Sequence, residues 1–172
     1  MQKKWICVWI ALLAGTAIYA QQDVDIGRSD FKTDKEGFRD AWNAIGEGDD
    51  YYELGPAAFP RALEYYLQAY DYNPAPAALN YKIGVCYLYD ADKEYALGFL
   101  QDAYGKDPNV ASDILFFIGQ AHHFRYEFDQ AIQSYDRYKA TLSPSELADK
   151  KLKIERKIRA CQAGKKMMQD TA

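Results

Sequence analysis

One pattern recurs along the chain: a Gly, a small Ala about a dozen residues later, and a large aromatic or Leu four residues beyond that. It reads Ile83, Gly84, Tyr87, Ala96, Leu100, Ala103, Pro108 in one copy and Ile118, Gly119, His122, Ala131, Tyr135, Tyr138, Pro144 in the next. An earlier copy reads Ile45, Gly46, Ala62, Tyr66, Ala69, Pro74. The successive anchors Ala62, Ala96 and Ala131 stand 34 and 35 residues apart. Two antiparallel helices approach closely only where small residues face each other, and a Gly in the first with an Ala in the second supplies that contact. A single helical hairpin cannot bury its own apolar face, so the hairpins must stack. Large residues at Tyr87, Leu100 and Tyr135 then fill the space between one hairpin and the next.

A two-helix unit repeated at this period is the tetratricopeptide (TPR) signature. The expected fold is all-α: a right-handed TPR α-solenoid of three hairpins over residues 33–74, 75–108 and 109–144, closed by a capping helix over 145–172. The first copy departs from the others. Gly46 to Ala62 spans sixteen residues where both later copies use twelve, and the extra residues point to a longer inter-helix loop within Asp49–Pro56. Thr33 followed by Glu36 has the form of a capping box and predicts a helix through about Gly48; Ser143 and Glu146, with Pro144 between them, predict another. Further helices are expected over 59–72, 77–89, 93–106, 112–126 and 128–141. Prolines punctuate them, since Pro lacks the donor N–H and disfavours helix in the residue before it.

The amino terminus reads as an address. Lys3 and Lys4 precede the apolar run Trp5–Ala17, and Ile18-Tyr19-Ala20 stands before polar Gln21, which predicts a signal peptide over 1–20 and export. Residues 21–32 lack periodicity and are expected to form a flexible leader. The chain carries a formal charge of −4, yet residues 145–172 hold eight Lys or Arg against four acids. An acidic body argues against nucleic acid as a partner, because phosphate repels the larger surface. Cys86 and Cys161 lie on elements separated by an intervening repeat, so no disulfide is expected.

The residues that could carry chemistry are few. His122 and His123 are adjacent and point about 100° apart on a helix, a poor chelate. His122 takes the packed position of Tyr87, and His123 is expected to face the groove. Asp90-Ala91-Asp92-Lys93-Glu94 alternates like a calcium loop but has Tyr95 and Gln101 where such a loop needs Gly and Glu. The acidic cluster Glu47, Asp49, Asp50 and Glu53 reads as a solvated loop. No nucleophile elbow, phosphate loop or dinucleotide fingerprint occurs. The reading is therefore not an enzyme, with no cofactor, no metal, no small-molecule substrate, and a protein as partner. The candidate partner-binding groove, lined by first helices, comprises Asn43, Glu47, Tyr81, Val85, Tyr89, Phe116, Gln120 and His123. Lys82 stands alone without the basic clamp that captures a terminal carboxylate.

Leu79–Leu88, Tyr126–Ile132 and Ile158–Lys165 carry a narrower resemblance. The chain resembles the amino-terminal TPR region of Bacteroidota cell-envelope proteins in which the repeats precede a WD40-like β-propeller and an OmpA-like domain. That resemblance implies a periplasmic or outer-membrane-associated location and association with envelope or secretion machinery. It also implies that residues 158–172 lead toward a further domain, with the last helix fraying after Gly164 and Met167-Met168 adding apolar surface.

Overall fold

The computed structural model describes residues 24–170, so the signal-peptide reading of residues 1–20 lies outside the described residues. Among those described there is no strand. Helices α2 (Phe38–Glu53) and α3 (Phe59–Tyr72) form the first hairpin, and α4 (Ala77–Tyr87) and α5 (Ala96–Lys106) the second. The third hairpin is α6 (Ile114–Phe124) and α7 (Phe128–Thr141), and α8 (Pro144–Asp170) closes the stack. A short helix α1 (Arg28–Phe31) precedes them, and a 3-10 turn over Lys93–Tyr95 leads into α5. No described helix is long and apolar enough to cross a membrane.

The hairpins close on glycine. A Cβ on Gly84 would stand 2.7 Å from Leu100 Cγ, one on Gly119 2.8 Å from the Tyr135 ring, and one on Gly48 2.6 Å from the Tyr66 ring. Leu100 and Tyr135 thus fill the space over the glycine of their own hairpin. Nothing lies within 4 Å of Gly46. The close-packed glycine of the first repeat is therefore Gly48, which corrects the alignment on Gly46 and reduces the insertion from four residues to two. Those two residues lengthen the connection, as expected: it spans residues 54–58, against 125–127 in the third hairpin, while the greater length of α2, 16 residues against 11 in α4 and α6, lies on the amino side of Gly48.

Consecutive repeats are joined by one turn used twice. Asn73 and Asp107, which end α3 and α5, leave the helix at φ −145°, ψ 104° and φ −146°, ψ 104°. Each side-chain oxygen accepts the backbone N–H two residues on, from Ala75 at 2.9 Å and Asn109 at 2.9 Å. Such Asx turns replace the backbone pairing that the intervening proline cannot make. The helix that follows the first of them, α4, is buried continuously from Leu79 to Cys86, as the central element of a stack must be.

The two capping boxes read from the sequence differ. Ser143 and Glu146 make theirs: the Ser143 hydroxyl donates to Glu146 Oε2 at 2.6 Å and the Ser143 N–H at 2.9 Å, which together hold the Glu146 carboxyl below its ordinary range, while Glu146 N–H donates to Ser143 Oγ at 3.4 Å. Thr33 and Glu36 do not. Gly37 intervenes at φ 92°, a left-handed conformation, and α2 starts at Phe38.

The leader expectation is also corrected from Val24 onward. Val24, Ile26 and Phe31 are buried, and the Phe31 ring sits 5.2 Å from Tyr72, 6.0 Å from Trp42 and 6.4 Å from Phe38. Asn73 Nδ2 donates to Phe31 O at 2.8 Å, and the Tyr72 hydroxyl donates to Thr33 O at 3.0 Å. This segment covers the apolar face that α2 would otherwise present to water. At the opposite end α8 buries Ile154 and Cys161 and runs unbroken through Gly164, which packs against the Phe128 ring. Lys165 Nζ pairs with Asp129 at 2.6 Å one residue later. Cys86 and Cys161 are both buried free thiols.

Candidate functional site

First helices meet their successors through polar pairs. Between α2 and α4, Lys82 Nζ pairs with Asp49 Oδ1 at 2.6 Å, and the Tyr66 hydroxyl donates to the same oxygen at 2.6 Å. The Lys82 side chain is 7% exposed, so its ammonium depends on that carboxylate and on the rings of Tyr52 and Tyr66 within 6 Å. Between α4 and α6, the Tyr81 hydroxyl donates to Asp113 Oδ1 at 2.7 Å. Between α6 and α8, Lys153 Nζ lies 4.6 Å over the Phe116 ring.

These pairs explain where the groove residues read from the sequence fall. Tyr81, Val85 and Phe116 are buried in the seams between first helices, and Gln120 is buried as well. Burial drives the Tyr81 hydroxyl far above its ordinary range, with Asp113 adding to the shift. Tyr81, Val85, Phe116 and Gln120 are therefore parts of the wall, not exposed anchors, which corrects their assignment as contact residues. Asn43 and Glu47 are exposed, but they were placed by counting from Gly46. Counted from Gly48, the equivalents of Tyr81 and Val85 are Ile45 and Asp49, about 200° round the helix from the residues first chosen. Ile45 is buried and Asp49 belongs to the Lys82 pair. Tyr89 remains exposed at the helix end.

The histidines also separate. His122 Nδ1 lies 2.6 Å from Glu127 Oε2, and Glu127 also accepts from Arg125, so that its carboxyl sits below the ordinary range. His123 is half-buried beneath α8, with Nδ1 3.0 Å from Cys161 Sγ. Burial, then nearby Lys157, lowers its pKa. Burial raises the Cys161 thiol, so this contact is a packed pair and not an activated nucleophile. No group of three or more potential metal ligands occurs among the described residues.

What the sequence reading missed is the contribution of α8. Lys150, Lys153 and Lys157, at spacings of three and four, share one face directed at α6 and α7. Lys150 Nζ lies 5.9 Å over Tyr138, and burial lowers both Lys153 and Lys157. The carboxylate facing them is Asp113, itself raised by burial against the pull of Tyr81, Lys150 and Lys153. Half-buried Phe117 lies 6.1 Å from Tyr81, on the side of α6 toward α4. The signal for this lies in the same terminal segment whose basic excess is visible, once its i, i+3, i+7 lysines are set apart from the buried Ile154 and Cys161.

No family model matches the chain, and no curated protein does. Solved structures do. The TPR2B domain of yeast Sti1 in its pHsp70 complex superposes with a TM-score of 0.58 at 17% identity, over 73% of this chain and 98% of that one. The fold is a TPR solenoid. The TPR2AB domain of yeast Sti1 in its pHSP90 complex gives a TM-score of 0.58 at 16% identity, over 78% of this chain and 50% of that one. At such identities the TPR likeness concerns the path of the helices alone.

Proposed function

We propose that this TPR solenoid is a non-enzymatic protein-interaction module that holds a partner segment along the first-helix face, centred on α6 and α8. The observation that carries the reading is the basic row on that face. Lys150, Lys153 and Lys157 follow one side of α8, with Lys153 over the Phe116 ring and Asp113 the carboxylate that feels Lys150 and Lys153, and the groups around them are engaged in packing rather than poised to react. The similar Sti1 domains carry their partners in complexes named for pHsp70 and pHSP90, which supports the same mode of use here. The basic and apolar start of the sequence and its resemblance to Bacteroidota envelope proteins support an exported module serving an assembly at the periplasm or outer membrane.

Photo-crosslinking tests this. A benzophenone side chain replacing Phe117 should yield a discrete adduct from a native envelope fraction, whereas one replacing Gln133, exposed on α7, should not. Adducts that form equally at both positions would move the partner off the first-helix face.

A further inference from the structure

The cations of α8 fall into two sets with different surroundings. On its solvent side Lys151 and Arg159 share Glu155, at 3.9 Å and 3.8 Å, and toward its end Lys165 is met by Asp129. Lys150, Lys153 and Lys157 are not matched in this way: among the described residues none of the three has a carboxylate oxygen within 4 Å. They lie over rings instead. Lys153 Nζ stands 4.6 Å from the centre of Phe116, Lys150 Nζ stands 5.9 Å from that of Tyr138, and Lys157 is near enough to His123 to help lower its pKa.

The two carboxylates that feel the row are already engaged. Glu146, one turn before Lys150, is held by Ser143 in its capping box, and Asp113 accepts the Tyr81 hydroxyl at 2.7 Å. The row thus presents positive charge that the protein does not neutralise. Its length is set by the helix: Lys150 and Lys157 are seven residues apart, about 10 Å at 1.5 Å per residue. About four residues of extended chain, at ~3.3 Å each, cover the same length. The rest of the molecule limits what can lie there. Residues 145–172 hold eight Lys or Arg against four acids, yet the whole chain has a formal charge of −4. A long polyanion laid along the row would run on to that acidic body, whereas a short acidic segment would not.

We propose that the Lys150, Lys153 and Lys157 row receives an acidic stretch of a partner protein, with two or three side-chain carboxylates inside about four extended residues. This rests on the reading of the first-helix face as a docking surface and adds the charge of its occupant. Each carboxylate accepts a charge-assisted hydrogen bond from an ammonium that has no competing acid. The contact is to carboxylates within the partner's chain rather than to a chain end. Lys82 does not take part, since it is buried in its pair with Asp49.

The probe is a rhodamine-labelled dodecapeptide with Glu-Glu-Ser-Glu at its centre, Gly-Ser repeats on either side and an amidated carboxyl end, titrated against the full chain by fluorescence polarisation. The same peptide with Gln for Glu should bind at least tenfold more weakly. Lys150→Gln with Lys157→Gln should weaken the acidic probe tenfold or more. Lys151→Gln with Arg159→Gln removes the same charge from the other side of α8 and should change affinity less than twofold; circular dichroism melts establish that both double variants fold. Equal weakening by the two double variants would overturn the proposal, because the attraction would then follow net charge and not the row. So would undiminished binding of the Gln peptide, or sedimentation with phosphatidylglycerol vesicles that only the Lys150→Gln, Lys157→Gln variant loses, which would give the row to a membrane surface. If the acidic probe fails to bind while the adduct from position 117 still forms, the acidic occupant is refuted and the docking face stands; loss of that adduct as well refutes both.

Discussion

The two ends of the solenoid solve the same problem in opposite ways. At the amino end no repeat precedes α2 among the described residues, and the short segment carrying α1 plugs the gap with one large ring: Phe31, fully buried among Phe38, Trp42 and Tyr72. At the carboxyl end, α8 extends for 27 residues, about 40 Å at 1.5 Å per residue, yet buries only Ile154 and Cys161 completely enough to count as core. The plug concentrates its contribution in one residue. The long helix spreads it over a face on which lysine stems do much of the covering. A compact aromatic plug serves stability, whereas a sparsely anchored helix leaves a basic face available.

The largest expected effect tests that concentration. Phe31→Ala should destabilise the fold by about 3–5 kcal/mol, the range for deleting a buried aromatic. Ile154→Ala should cost about 2–3 kcal/mol, toward the low end for a buried aliphatic, because α8 is free to settle over the gap. Urea titrations followed by circular dichroism at 222 nm measure both; equal losses would erase the distinction between the ends. Next in size, Gly164→Ala forces a methyl into the Phe128 ring and should cost about 1–3 kcal/mol. Its signature is selective loss of hydrogen-exchange protection over residues 160–170, with α2 and α3 unchanged.

The sign reverses at Gly46. It is exposed in the interior of α2 with open space around it, so Gly46→Ala should stabilise by up to about 1 kcal/mol. Gly48→Ala, two residues on, should destabilise, because its methyl would meet the Tyr66 ring. The melting temperatures of this pair also check the corrected repeat register.

The smallest effect is a pH dependence confined to the carboxyl end. His123 has a folded pKa below its unfolded value, so the unfolded chain binds more protons as pH falls through the unfolded value near 6.5. Stability from keeping it neutral is present above that pH and is lost progressively below it. Asp113, raised by burial, acts with the opposite sign: its contribution is full below the ordinary carboxylate range and is lost as pH rises through its folded pKa. Between about pH 7 and pH 5.5, therefore, the urea midpoint should fall slightly, and His123→Asn should flatten that slope. No comparable histidine exists at the amino end, where the described residues between Val24 and Tyr72 contain none.

The second helices were legible because each carries a strong apolar period and clear boundaries. Phe59–Tyr72 and Phe128–Thr141 were read from pattern and found in place. The errors have local causes. Gly46 and Gly48 are both small, and only the opposing ring distinguishes the one in contact. Thr33 and Glu36 match a motif that Gly37 then breaks, while Ser143 and Glu146 match it with Pro144 in the first helical position. The segment from Val24 to Phe31 is too short for any period to emerge, although its three apolar residues were visible. For the groove, spacing could not tell wall from opening. That distinction depends on the neighbouring helix: Tyr81 is closed over by its bond to Asp113 and Phe116 by Lys153 of α8.

The seams between first helices bear on whether these units are interchangeable parts. The Asp49–Lys82 pair joins the first repeat to the second. Counted from the close-packed glycines, the same two places at the next seam are held by Val85 and Phe117, an apolar match instead of a charged one. A tandem duplication of residues 75–108 would set Val85 against a second Lys82 and strand a buried ammonium with no carboxylate in reach. Each junction is thus keyed to its own neighbour. The serial order of the repeats is written into the chain chemically, and an array lengthened by copying one unit would need Val85 rewritten as an acid before it could stack.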